Sequence, residues 1–327
     1  MKKGISILIL LLIICNSFPI FSQSIAINES EMDLLEEPYE YPVLPGDTEW
    51  SELDIAEVFT LSNPSREFCQ TITTSALLTT VLTCPFTCSI YAFDSIDDGI
   101  EICRNAIYSL DELLNRTDAL QCINRFIEEK EFEHISNGGT YCSEYYIAFR
   151  LSEYLINQNN MNPDVFVDPN TGWTATYIHT PNNSNVFVYI GLTWSDHGVT
   201  SAEANSISSS YASTFSATIV NPANSSYNCH SYAWYHASAN NYWMEDPSPY
   251  MTDGSYTHKN SAAVGRKVTY TSPNNLEHSG IVTSISGSTV YVTSKWGYLA
   301  VFRHSLYNNP YYLFINATQI DYWKKAS

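Results

Sequence analysis

The stretch Tyr227-Asn228-Cys229-His230-Ser231-Tyr232-Ala233-Trp234-Tyr235 decides how the C-terminal half of this chain is read, together with His278-Ser279-Gly280-Ile281-Val282 further on. Asn228 is a good helix-capping type and residues 229–239 hold no Gly or Pro, so the sequence predicts a helix that opens at Cys229. His278 opens a run that reads as a strand, and Gly280 within it permits close approach of a backbone or a substrate. A thiol in a first helical turn is favoured as thiolate by the positive end of the helix and by a nearby imidazolium. Cys229 is therefore the candidate nucleophile and His278 its candidate base. The competing readings are an inert buried thiol, or one that pairs with another chain, and a histidine that caps a strand.

Cysteine usage points to the same residue. Of the eight cysteines, Cys15 lies in a segment expected to be removed, and Cys69, Cys84, Cys88, Cys103, Cys122 and Cys142 fall in one region. In an oxidising compartment those six are expected to pair as staples between helices, in a connectivity that sequence does not fix, and Cys229 is left over. A metal site is the rival use of Cys84 and Cys88, but neither tight repeated cysteine pairs nor a following histidine cluster accompanies them. No metal or cofactor is expected.

Composition narrows the partners. The 327 residues leave room for two modest domains, and 44% hydrophobic residues supply real cores. A formal net charge of −19 repels phosphates, which argues against nucleic acid and anionic membrane surfaces. Met1-Lys2-Lys3 followed by an apolar run from Ile5 to Cys15 reads as a signal peptide, residues 1–22, cleaved near Ser22. An uncleaved anchor and lipid attachment at Cys15 are the alternatives. The apolar run is shorter than the ~20 residues that a spanning helix needs, and export of a protein with no membrane span is the expectation.

Beyond the signal, residues 23–65 are acidic and Pro-bearing and read as an extended arm. Residues 66–160 read as a helical, cysteine-rich domain, with Thr73 or Thr74, Thr117 and Ser143 as caps and Ile107, Leu110, Leu113 and Leu114 on one helix face. Residues 161–327 read as a second domain. There Val186–Ile190 is a strand, Thr200-Ser201-Ala202-Glu203 has capping-box spacing before a helix, and further strands are expected at Val264–Tyr270, His278–Ile285, Thr289–Ser294, Leu299–Arg303 and Tyr311–Ile315. Ser286-Gly287-Ser288 is a tight hairpin. The fold class is α+β, with a helix set against an antiparallel sheet.

The motifs Asn228-Cys229-His230-Ser231-Tyr232-Ala233-Trp234 and His278-Ser279-Gly280-Ile281-Val282, in that order, resemble those of the papain-like cell-wall hydrolases, the NlpC-like and CHAP groups. The resemblance covers the chain from Asn221 to its end and implies a papain-like domain that hydrolyses an amide bond, in peptidoglycan or a peptide, through a thioester on Cys229. Those groups place a polar residue on the following strand to orient the imidazole. Here that stretch is Val292-Thr293-Ser294-Lys295-Trp296-Gly297, which makes Ser294 the candidate orienting group and sets Lys295 beside it. Trp243, Trp296 and Tyr250 are candidates for a substrate groove, with core packing as the competing use. Asp246 and Asp253 are candidates for meeting a substrate amine, with solvated turns as the alternative. His230 would project about 100° away from Cys229 around a helix and reads as structural. The helical stretch from Tyr91 to Ala119 also resembles a region of secreted bacterial proteins, to which no activity attaches. The expected function is a secreted cysteine hydrolase, and the rival is a non-catalytic surface or adhesion protein that uses the same fold for binding.

Overall fold

The computed structural model describes residues 34–93, 95–137, 141–160, 173–272, 276–314 and 319–326. The expected signal peptide and the acidic residues Glu29, Glu31 and Asp33 lie outside the described residues. The rest of the predicted arm is not simply extended. It folds into α1 (Thr48–Glu52) and α2 (Ile55–Leu61), whose Trp50, Ile55 and Val58 are buried. Asp54 and Glu57 close a capping box at the start of α2, a local signal that its acidic surroundings obscure in sequence. Trp50 then donates its indole N–H to the carbonyl of Thr214, 3.2 Å away and far along the chain.

The helical region follows as α3 (Arg66–Thr71), α4 (Thr74–Thr83), α5 (Ile96–Arg104), α6 (Tyr108–Asn115), α7 (Ala119–Asn137) and α8 (Ser143–Asn160). Thr73 caps α4 through the Ala76 N–H, as its type predicts, whereas α8 starts at Ser143 itself. No disulfide joins the six cysteines of this region. Cys69, Cys84, Cys88 and Cys103 are buried and pack as small apolar side chains in the core, while Cys142 is exposed.

After β1 (Thr174–His179) and β2 (Asn185–Ile190) come α9 (Ser201–Thr214), opened by the predicted Thr200/Glu203 box, and β3 (Thr218–Asn221). The Cys229 helix, residues 229–235, leads to β4 (Tyr242–Met244), α10 (Ser248–Thr252) and β5 (Tyr256–Lys259). The chain closes with β6 (Lys267–Thr271), β7 (Leu276–Ser286), β8 (Thr289–Lys295), β9 (Val301–Ser305), α11 (Pro310–Phe314) and β10 (Gln319–Lys325). Two antiparallel sheets result, one of order β1-β2-β4 and a seven-stranded one of order β3-β9-β8-β7-β6-β10-β5. The turn between β7 and β8 puts Gly287 at φ +58°, as a two-residue hairpin requires.

The expected strand at Tyr311–Ile315 is instead helical over Pro310–Phe314. Pro310 pre-sets the first-turn φ, and Asn309 accepts the Tyr312 N–H at 2.9 Å, so an Asn-Pro start outweighs the β-rich composition.

Residues on both sides of position 160 meet in one core. Leu77, Val81, Ile100, Leu110 and Leu151 from the helices share a buried cluster with Val268, Tyr270, Val282, Val292 and Phe302 from the sheet, and Leu34–Ser327 form one compact unit. A polar bridge crosses the same boundary. Arg150 on α8 holds both carboxylate oxygens of Glu203 on α9, at 2.7 and 2.6 Å, and Tyr91 donates to Glu203 at 2.8 Å, with all three buried. Glu203→Ala would leave the Arg150 guanidinium buried without its main partner, at a cost of about 3–5 kcal/mol. Urea denaturation followed by both tryptophan fluorescence and far-ultraviolet dichroism should show that loss in one coincident transition. A loss below about 1 kcal/mol, the scale of an exposed pair, would contradict the assignment.

Candidate active site

Cys229 stands where the sequence expects it, in the first turn of a capped helix. Asn228 caps through its Oδ1, which accepts the Ser231 N–H at 3.2 Å. The same amide donates to the Met244 carbonyl at 2.8 Å and accepts from the Met244 N–H at 3.3 Å, which pins the start of the helix to β4. The helix is shorter than expected. It widens into a π-type turn, with the His236 N–H bonded to the Ser231 carbonyl, and ends at Tyr235. Such turns recur at functional sites. With only seven residues, the helix contributes at most the ~0.3–1 kcal/mol of a terminal dipole to a thiolate.

Cys229 is 6% exposed and lines a cavity of about 270 Å³. Asn228, Gly297, Glu277 and Tyr311 contribute from the C-terminal half, and Phe93, Asp98 and Glu101 from the helical half. Gly297 takes φ +51° in the turn after β8, and a β-carbon there would lie 3.7 Å from the carbonyls of Tyr91 and Phe93. The turn thus seats the helical half against the cavity.

Side chains along β7 divide between the two faces of the sheet. Ser279 accepts from Trp234 Nε1 at 2.9 Å and bonds His230 Nδ1 at 2.9 Å, and Ile281 packs beside Trp234, so both face the Cys229 helix. His278, Gly280 and Val282 face the other way, as alternation requires. Gly280 is a close approach, as predicted: a β-carbon would come within 2.5 Å of Val292 Cγ1.

His278 is fully buried, and neither ring nitrogen has a hydrogen-bond partner. The structure therefore does not join it to Cys229 by a hydrogen bond. Its ring lies flat on that of Tyr311, with centroids 3.7 Å apart and planes at 8°. Tyr311 in turn lines the Cys229 cavity. Ser294, expected to orient His278, bonds His304 Nε2 at 2.9 Å instead and accepts from Trp296 Nε1. Trp296 is fully buried against Tyr211, Phe215 and Phe302, which is core packing. Asp246 is exposed and accepts from the N–H and hydroxyl of Ser248, which makes it a turn residue. Trp243 does reach a cavity, a larger one of about 440 Å³ that shares Asp98 with the first.

Lys295, which the sequence sets beside Ser294 as a charge that would oppose the imidazolium if it pointed inward, lies instead on the side of Cys229. It is fully buried on the Cys229 side of β8, and its ammonium donates to the carbonyls of Asn224 and Gly297 at 2.8 and 2.7 Å. It also stands 5.0 Å over the Tyr227 ring. Burial pushes its pKa well below the ordinary lysine value, and the charge of Cys229 pulls it back up. By reciprocity the ammonium favours the thiolate. Alternation supplies the only sequence signal: if Ser294 faces one side of β8, Lys295 faces the other. Among the described residues no group of three or more His, Cys, Asp or Glu is placed to hold a metal ion.

Burial also holds the histidines around this sheet neutral. His230 and His304 are each pushed down to about 4, and His278 well below its ordinary value, with the charges of His304 and His230 adding to the effect of burial. An unfolded histidine titrates near 6.5, so the stabilising difference is intact above that pH and is lost as pH falls through 4. The loss should be about 3 kcal/mol for each of His230 and His304, from 1.36 kcal/mol per pH unit. Urea unfolding between pH 7 and pH 4.5 should show falling stability, with a shallower fall in His304→Gln. A flat profile over that range would refute the buried neutral imidazoles.

No protein-family model, no curated protein and no solved structure matches this chain.

Proposed function

We propose that this protein is a secreted cysteine hydrolase that cleaves an amide bond in peptidoglycan or a peptide, with Cys229 as nucleophile and His278 as base on a papain-like arrangement of helix and sheet. The observation that carries the reading is the coupling of a cavity-lining thiol to a buried lysine, with His278, whose two ring nitrogens are buried and unpartnered, under the Tyr311 ring that lines the same cavity. Such nitrogens cost ~1–3 kcal/mol each, and a catalytic role is one of the few uses that accounts for the cost.

In the proposed reaction His278 has to turn out from under the Tyr311 ring and into the Cys229 cavity before the chemistry begins. The Cys229 proton passes to a ring nitrogen of His278, and the sulfur adds to the substrate carbonyl carbon. The C–N bond then breaks as the imidazolium returns that proton to the departing amine, and water splits the thioester. Lys295 acts on the sulfur through its charge. Its two carbonyl bonds fix it in place, so it acts as a positioning group rather than a proton carrier.

A second reading, a non-catalytic surface or adhesion protein with the same fold, draws support from one feature. Ser294 is committed to His304, which leaves His278 without the orienting partner that the resemblance calls for.

Thiol chemistry separates the two. At neutral pH iodoacetamide should modify Cys229 ahead of Cys69 and Cys88, whose thiols burial pushes up to about 11 and about 12. Lys295→Met should slow the Cys229 reaction by about tenfold, the equivalent of ~1.4 kcal/mol of lost thiolate stabilisation. Cleavage of a peptide or peptidoglycan pool, read as released amine, should vanish in Cys229→Ala and His278→Ala. A Cys229 no more reactive than the buried thiols would sink the hydrolase and leave the binding protein.

A further inference from the structure

Tyr311 is held from two sides, and the two sides belong to different parts of the chain. Its ring lies flat on that of His278 in β7, with centroids 3.7 Å apart and planes at 8°. Its hydroxyl donates to the Ala92 carbonyl at 2.5 Å, and its ring meets that of Phe93 at 5.9 Å in a T-shaped arrangement. Ala92, Phe93 and Tyr311 all line the Cys229 cavity, so the residues that clamp the tyrosine also wall the thiol. The helix that carries Tyr311 is fixed at its start. Asn309 accepts the Tyr312 N–H and gives its own amide to the Leu306 carbonyl at 2.9 Å.

Stacked rings alone are ordinary core packing. The imidazole under this ring is not. A buried histidine bonds through at least one ring nitrogen when its place in the core is its final one. His230 does so with Ser279, and His304 does so with Ser294 and the Ser305 carbonyl. His278 has given up its hydration and makes neither bond. Its neighbours are aromatic, Tyr311 on one side and Tyr270 at 5.6 Å. Such a ring gains hydrogen bonds by leaving, so the contacts that keep it in place are those of the side chain that covers it.

We infer that this arrangement is a latched resting state of the candidate catalytic pair, with Tyr311 as the latch and the Ala92 carbonyl and Phe93 ring of the helical region as its catch. While the latch is closed, His278 is stowed on the far face of β7 and the thiol lacks its base. Loosening the hold on Tyr311 shifts the population toward the state in which the imidazole turns into the cavity. The helical region thereby controls the thiol that it helps to wall. The inference rests on the hydrolase reading, which supplies the pairing of His278 with Cys229. Tyr311 acts on the sulfur only through His278, which makes it a positioning residue.

The rate of Cys229 alkylation by iodoacetamide, followed on the full chain from about pH 5 to about pH 9, tests the latch. Tyr311→Phe keeps the ring stack and removes the hydroxyl that reaches Ala92. With a cooperative thermal transition retained, it should raise the rate at about pH 6.5 by about three- to tenfold, the factor that one neutral hydrogen bond carries, and move the profile toward lower pH. Tyr311→Ala should raise it further. His278→Gln should cancel the gain when added to either variant, since the effect passes through the imidazole. An unchanged profile in both variants, or a gain that survives His278→Gln because the cavity has merely opened, would each overturn the latch. Amine release by the parent chain that depends on Cys229 and His278, with no gain in either Tyr311 variant, refutes the latch alone. A gain in thiol reactivity that depends on His278, with no amine released by any variant, refutes the hydrolase alone and leaves the latch standing.

Discussion

Strands β7 and β8 are buried on both faces at His278–Gly280 and Val292–Lys295, and that constraint governs everything else in the candidate site. A strand with two buried faces sends successive side chains into two different interiors. Ser279 and Lys295 go to the Cys229 helix, while His278 and Ser294 go to the layer shared with the helical region. Which face each residue takes depends on the pairing with β6. Between the pairs Thr271–Leu276 and Tyr270–His278, β7 carries one extra residue, Glu277. This bulge bends the strand just where the Cys229 cavity opens, and it places Glu277 on the cavity wall.

The two buried cations show how differently one chain can treat the same electrostatic problem. Removing a charge from water costs several kcal/mol, and only a good counter-charge repays it. Arg150 has one: Glu203 grips it by both oxygens, and the result ties α8 to α9. Among the described residues Lys295 has carbonyl dipoles and a tyrosine face by comparison, and the group whose negative charge, when ionised, favours its protonated form is Cys229. The arginine bridge is complete without any ligand. Burial disfavours the charged form of Lys295, and a negative charge on Cys229 offsets part of that effect.

Much of the fold was legible from local signals. Caps at Thr73 and Thr200, the apolar spacing of α6 and the turn at Gly287 are each decided by a few neighbouring residues, and each appears where the sequence puts it. The Asn228 cap and the first-turn position of Cys229 belong to the same class. The failures were of two kinds. At Asn309-Pro310 a local signal was present but outvoted by the aromatic, β-favouring residues after it. At His278, Ser294 and Trp296 the deciding facts were non-local: a bulge set by β6, a bond to His304 from β9, and packing against α9. Lys295 was visible in the sequence, but that its charge reaches Cys229 depends on strand and helix meeting across the sheet.

The helical region is part of the site rather than an appendage to it. Phe93, Asp98 and Glu101 wall the Cys229 cavity, and Asp97, Asp98 and Arg150 wall the larger one, all from residues before 160. Gly99 shows how tightly that wall is built in, because a β-carbon there would sit 1.9 Å from the Ile90 carbonyl oxygen. With α5 held against the turn at residues 87–91 in this way, the two aspartates at its start have a fixed position over the cavities. Buried apolar packing, not disulfides, supplies that rigidity, since Cys84, Cys88 and Cys103 sit in the same core as unbridged thiols. An isolated C-terminal half would keep Cys229 and lose every carboxylate that the helical half brings to the cavity walls.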